Sequence, residues 1–171
     1  GQDAVLLAVD LVNRPPRSAR ELTQRCRSAG VVDYPEPGPA ELDATLGFLE
    51  EWTTVVDAPG HGERAAALNA LLARATSHPR LTDHVGGWHL HFRDDGLHLA
   101  AVLAALIATG TALHLTGRGM DRLGRCGSPT CGNVYADVSR NGRQRYCSPR
   151  CANQDAVRRH RARRKIQPSP S

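Results

Sequence analysis

At 171 residues, 40% hydrophobic but only 4% aromatic, the chain can hold one medium domain and a small module, with a core built mostly from Leu, Val and Ala. Its net charge of +5 is divided unevenly: residues 1–117 carry nine Arg and fourteen acids, net −5, and residues 118–171 carry twelve Arg, one Lys and three acids, net +10. No stretch is expected to approach the ~20 apolar residues of a membrane span, and Ala4 to Val9 is too short, with no basic flank, for a signal peptide.

The chain starts on Gly1 rather than Met, which leaves room for residues upstream. Val5, Leu6, Val9 and Val12 recur on one helical face, so Ala4 to Asn13 is expected to be a helix that stops before Pro15-Pro16. Ser18-Ala-Arg-Glu21 has the form of a capping box and opens a second helix through Arg27, stopped by Gly30. Cys26 on that helix is expected to be a small buried hydrophobe. Tyr34 to Pro39 carries three prolines and reads as a loop. Two amphipathic helices follow, Ala40 to Val56 and Glu63 to Thr76, separated by Pro59-Gly60.

Trp88-His-Leu-His-Phe92 alternates as a strand, with Trp88, Leu90 and Phe92 on one face and His89 and His91 on the other, the histidine face being the exposed one. A catalytic metal on this His pair would need further ligands, and no nearby motif supplies them. Leu97 to Leu115 is a long apolar helix with Leu99, Val102, Leu103, Leu106 and Ile107 as core candidates, and Gly110 as a point where it bends or ends. Gly117 to Gly119 form a joint, and the short connection through Met120 to Leu123 implies that the next module packs against the helical body.

Four of the five cysteines then fall together: Cys126 and Cys131 enclose Gly-Ser-Pro-Thr, fifteen residues pass, and Cys147 and Cys151 enclose Ser-Pro-Arg. Two close thiol pairs so spaced can supply the four ligands of a tetrahedral structural zinc; the competing readings are two disulfides or four unrelated thiols. Val134 to Val138 reads as a strand, Asn141-Gly142 as a hairpin turn, and Arg143 to Cys147 as the return strand. Ser148 caps a last helix with Pro149 at its first position, which puts Cys151 in the first turn. That helix runs into Val157-Arg-Arg-His-Arg-Ala-Arg-Arg-Lys165, polar on every side. The fold expected is mainly α (α+β): a helical body with a short strand over 1–119, a small treble-clef-like zinc module of hairpin and basic helix over 120–166, and a disordered tail over 167–171.

The run from Cys126 to Arg164 resembles the CGNR zinc finger of bacterial proteins, whose Cys-Gly-Asn-Arg falls here on Cys151-Ala-Asn-Gln154. Asp137-Val-Ser-Arg-Asn141 and Arg145-Tyr-Cys-Ser148 are also similar to it, whereas Ala152 and Gln154 depart. Upstream, Asp10-Leu-Val-Asn13 resembles the opening of the ABATE domain that accompanies this finger, with Arg14 a departure. The resemblance implies a zinc-binding, DNA-binding regulator of the stress-induced kind.

The expected function is therefore a cytoplasmic DNA-binding transcription regulator with one structural Zn²⁺ on Cys126, Cys131, Cys147 and Cys151. Its expected nucleic-acid contacts are Arg140, Arg143, Arg145, Arg150, Arg158, Arg159, Arg161, Arg163 and Arg164. The body would sense a small-molecule effector or form a homodimer. The alternative is a structural-zinc module that binds protein or RNA. An enzyme is not expected: four thiolates close the zinc, and no nucleophile motif, phosphate loop or spaced carboxylate pair is present.

Overall fold

The computed structural model describes residues 2–31, 37–83 and 87–166. The helices are α1 (Gln2–Asn13), α2 (Ala19–Ser28), α3 (Pro39–Asp57), α4 (His61–Ala75), α5 (Leu99–Arg118) and α6 (Pro149–Ile166). Two antiparallel ribbons interrupt them: β1 (Arg80–Thr82) with β2 (His89–His91), and β3 (Leu123–Arg125) with β4 (Val134–Ala136). The expected mainly α architecture with a small zinc module is what the chain adopts. Residues 34–36 of the expected loop and the tail 167–171 lie outside the described residues.

α5 is the central element. It is apolar around most of its circumference, and α1, α3 and α4 pack against it, as a helix without a polar face requires. By length and composition it is apolar enough to cross a bilayer, which corrects the expectation that no stretch approaches a membrane span. The larger part of it, 61% of the apolar window, is buried inside the fold, as for a core helix. Val102, Leu103 and Ile107 are fully buried, Leu106 is exposed, and the helix continues past Gly110, which is itself buried. Trp52 on α3 meets it with a hydrogen bond from the indole to Thr111 Oγ1 at 2.9 Å.

Local signals set the helix ends. Ser18 Oγ accepts the Glu21 amide at 3.2 Å, and Glu21 reaches one residue further back than expected, to the Arg17 amide at 2.9 Å. Cys26 is buried in the core, and burial pushes its thiol up to about 11. A signal not legible beforehand is Arg64 on α4. Its guanidinium is buried, donating to the Val55 and Val56 carbonyls at the end of α3 (3.0 and 3.1 Å) and to the Met120 carbonyl. A cation there satisfies helix-end acceptors and opposes the helix dipole.

The first ribbon departs from expectation. β2 forms, but two residues of the apolar face are exposed, Trp88 at 73% and Leu90 at 55%, whereas Phe92 and the two histidines His89 and His91 are half-buried. Leu90 pairs with Leu81 of β1, itself 69% exposed. Strand alternation fixes which residues share a face, not which face the rest of the fold covers.

The second ribbon shares the core of the helices. Leu123, Val134 and Ala136 lie in the same buried cluster as Val5, Leu11, Val55 and Leu115. Its pairing corrects the expected hairpin: β4 pairs with β3, upstream, and residues 143–147 form no strand. The cause is Asp137, which is buried just after β4. Its carboxylate accepts the Ser139 amide at 2.8 Å, the Ser139 hydroxyl and the Gln144 amide at 3.1 Å, so an amide of the would-be return strand is spent on a side chain. Asn141-Gly142 still turns the chain, with Gly142 at φ +67°; a Cβ there would lie 2.5 Å from the Arg122 guanidinium carbon.

Candidate metal centre

Each cysteine pair is held by a different local device. Cys126 and Cys131 occupy the loop between β3 and β4. That loop is closed by the Cys126 amide on the Asn133 carbonyl at 2.8 Å and the Cys131 amide on the Ser128 carbonyl at 3.0 Å. Cys147 and Cys151 flank the start of α6, where Ser148 Oγ accepts the Cys151 amide at 3.3 Å, the expected cap. The two halves are tied by the Gly127 amide donating to the Arg145 carbonyl at 2.7 Å, and a Cβ on Gly127 would stand 3.0 Å from that oxygen.

The four sulfurs converge within 4.8 Å of one another. Cys131 Sγ lies 3.7 Å from Cys147 Sγ, and Cys147 Sγ lies 3.7 Å from Cys151 Sγ. A tetrahedron of Zn–S bonds of ~2.3 Å has edges of ~3.8 Å; a disulfide needs ~2.05 Å. The set therefore has the size of a zinc cage, and all five cysteines are free thiols. Burial pushes the Cys147 thiol up to about 12, while Ser148 beside Cys151 holds that thiol below the usual cysteine value. A bound divalent cation ionises all four together. The Cys147 amide on Cys126 Sγ (3.4 Å) and Asn133 Nδ2 on Cys147 Sγ (3.6 Å) add donors to thiolate charge.

Residues 122–164 match the family model of the CGNR zinc finger.

The segment that matches this finger thus brings together the expected four ligands and can take one zinc ion. No curated protein matches the chain. At the position that names the finger, Ala152 is half-buried and Asn153 and Gln154 are exposed.

Around the finger, Arg140, Arg143, Arg145, Arg150 and Arg161 are exposed and form no ion pair among the described residues. Arg158 and Arg159 are also exposed but share Asp155, at 2.7 and 3.1 Å. Arg163 and Arg164 lie on α6, and their side chains lie outside the described residues. Two acids that sequence reasoning passed over organise this surface. Asp137 binds Arg122 at 3.3 Å, and Asp155 accepts the Tyr146 hydroxyl at 2.8 Å besides its two arginines. Hydrogen bonds from Arg158, then Tyr146, hold the Asp155 carboxyl below its ordinary value. The available signal was scarcity: these are two of only three acids after residue 117.

The finger is braced on the body. Arg125 grips Asp57 with two bonds of 2.7 Å, His61 lies 2.9 Å from Asp121, and the His114 ring lies 3.2 Å from the Arg122 carbonyl.

Proposed function

We propose that the chain is a cytoplasmic DNA-binding transcription regulator in which structural zinc holds the finger and the helical body senses a signal or dimerises. The observation that carries this reading is the unneutralised arginine surface around the metal site. All three acids of the basic segment are engaged within the fold, by His61, by Arg122, and by Arg158 and Arg159. Arg140, Arg143, Arg145, Arg150 and Arg161 are left facing water. Cations without internal partners are available to phosphates, and phosphate contacts supply most non-specific affinity. The resemblance of Asp10 to Asn13 to the ABATE opening supports the regulatory role of the body.

The test is fluorescence anisotropy on labelled duplex DNA and structured RNA across a salt series. Three or four phosphate contacts give a slope of about −3 in log affinity against log salt. Replacing Arg143 and Arg161 together should weaken binding to all duplexes alike and flatten that slope. Equal binding by the parent and the double variant at every salt concentration would sink the reading; preference for structured RNA would favour an RNA-binding module.

A further inference from the structure

Away from the zinc, a cleft of about 180 Å³ lies between β2 and α5, with Ala4 of α1 completing its wall. Leu90, Phe92, Leu106 and Leu113 make most of its lining apolar. Two polar residues in that lining, Arg93 and Thr109, each have an atom shut off from water without a hydrogen-bond partner: Arg93 Nε and Thr109 Oγ1. Thr23, Thr45 and Thr116 give their hydroxyls to the carbonyl four residues back in their helices, and Thr109 does not. Arg93 makes no ion pair among the described residues. Its Nη1 reaches only the Asp94 carbonyl at 3.3 Å, and the nearby Asp95 is held by Arg80 at 2.8 Å. An orphaned buried donor is costly, so two in one cleft call for an acceptor from outside the chain.

The chemistry of that acceptor follows from the lining. A guanidinium and a hydroxyl suit a carboxylate. An apolar wall disfavours a phosphate dianion or a polyhydroxy acid, whose remaining charge or hydroxyls would lose water unpaired. A cavity of ~150 Å³ lined by aliphatic residues accepts a benzene ring, so this one has room for one ring or a short branched chain. We propose that the cleft binds a small apolar monocarboxylate, aromatic or branched aliphatic. The carboxylate lies on Arg93 and Thr109, and the hydrocarbon end lies against Leu106 and Leu113. This deepens the sensing role of the proposed function and rests on it for its purpose, while binding itself is measured without DNA.

The probe is benzoate, titrated calorimetrically into the zinc-loaded full chain, with benzyl alcohol as a neutral ligand of the same shape. The expected result is one saturable site, with benzyl alcohol and the Arg93→Met variant each at least about tenfold weaker. Far-ultraviolet circular dichroism and zinc content report whether Arg93→Met remains folded. The isosteric Thr109→Val is the second variant and should weaken benzoate severalfold. Absence of saturable benzoate binding, or unchanged affinity in Thr109→Val or in a folded Arg93→Met, overturns the proposal. So does a parent that ignores benzoate but sediments as a dimer broken by Leu90→Glu, which would give this face to a second copy of the chain.

Discussion

Asn13 and Val134, 121 residues apart, exchange two hydrogen bonds: Asn13 Nδ2 donates to the Val134 carbonyl at 2.9 Å, and the Val134 amide donates to Asn13 Oδ1 at 2.7 Å. The side-chain amide at the end of α1 thereby imitates a neighbouring strand and completes the open edge of β4. Val134 is fully buried, so removing the Asn13 amide takes away the partner of both its backbone groups. Asn13→Ala should cost about 2–3 kcal/mol, measured by urea unfolding of the zinc-loaded protein. A loss below about 0.5 kcal/mol would mean that the edge finds other partners.

The metal site predicts stoichiometry and stability together. Purified protein should carry about one zinc per chain, and Cys147→Ser should lose it. Because Leu123, Val134 and Ala136 sit in the common core, chelation should also lower the urea midpoint of the whole chain. A midpoint unchanged by complete zinc removal would show that the cage contributes nothing to the fold.

Arg64 predicts a large single-residue effect. Arg64→Leu keeps bulk but leaves the Val55, Val56 and Met120 carbonyls without their donor. A loss of about 2–4 kcal/mol is expected in thermal or urea unfolding. A near-neutral result would place water or another donor at the α3 terminus.

Asp10 predicts a pH dependence of stability. Burial raises its carboxyl, but hydrogen bonds from Arg14 and Arg25 outweigh this and hold it below the ordinary aspartate value. A depressed folded value means stability that is present above the unfolded value of ~3.9 and lost as pH falls through the folded one. Asp10→Asn should therefore be less stable than the parent at pH 7, by about 1 kcal/mol or less since the pair is partly exposed. The gap in melting temperature should close below about pH 4. A gap that is constant with pH would assign the effect to shape rather than charge.

The amino-acid sequence alone determined the features that depend on neighbours along the chain. Helix limits at Pro15, Gly30 and Pro59, the Ser18 and Ser148 caps, and the four zinc ligands are set by backbone permissiveness, 3.6-residue periodicity and metal coordination. All of these act within a few turns of backbone. Tertiary structure alone decided which partner each group takes when several are locally equivalent. Val134 to Ala136 can pair forward or back, and the buried Asp137 carboxylate, by claiming the Ser139 and Gln144 amides, sends it back to Leu123. Trp88 and Leu90 share a strand face in the sequence, but nothing local says that the rest of the fold leaves these two side chains exposed. Arg64, Asn13 and Asp155 look like ordinary polar residues until carbonyls, amides and a phenol from distant segments surround them, because the cost of an unpaired buried group exists only once the chain has closed around it.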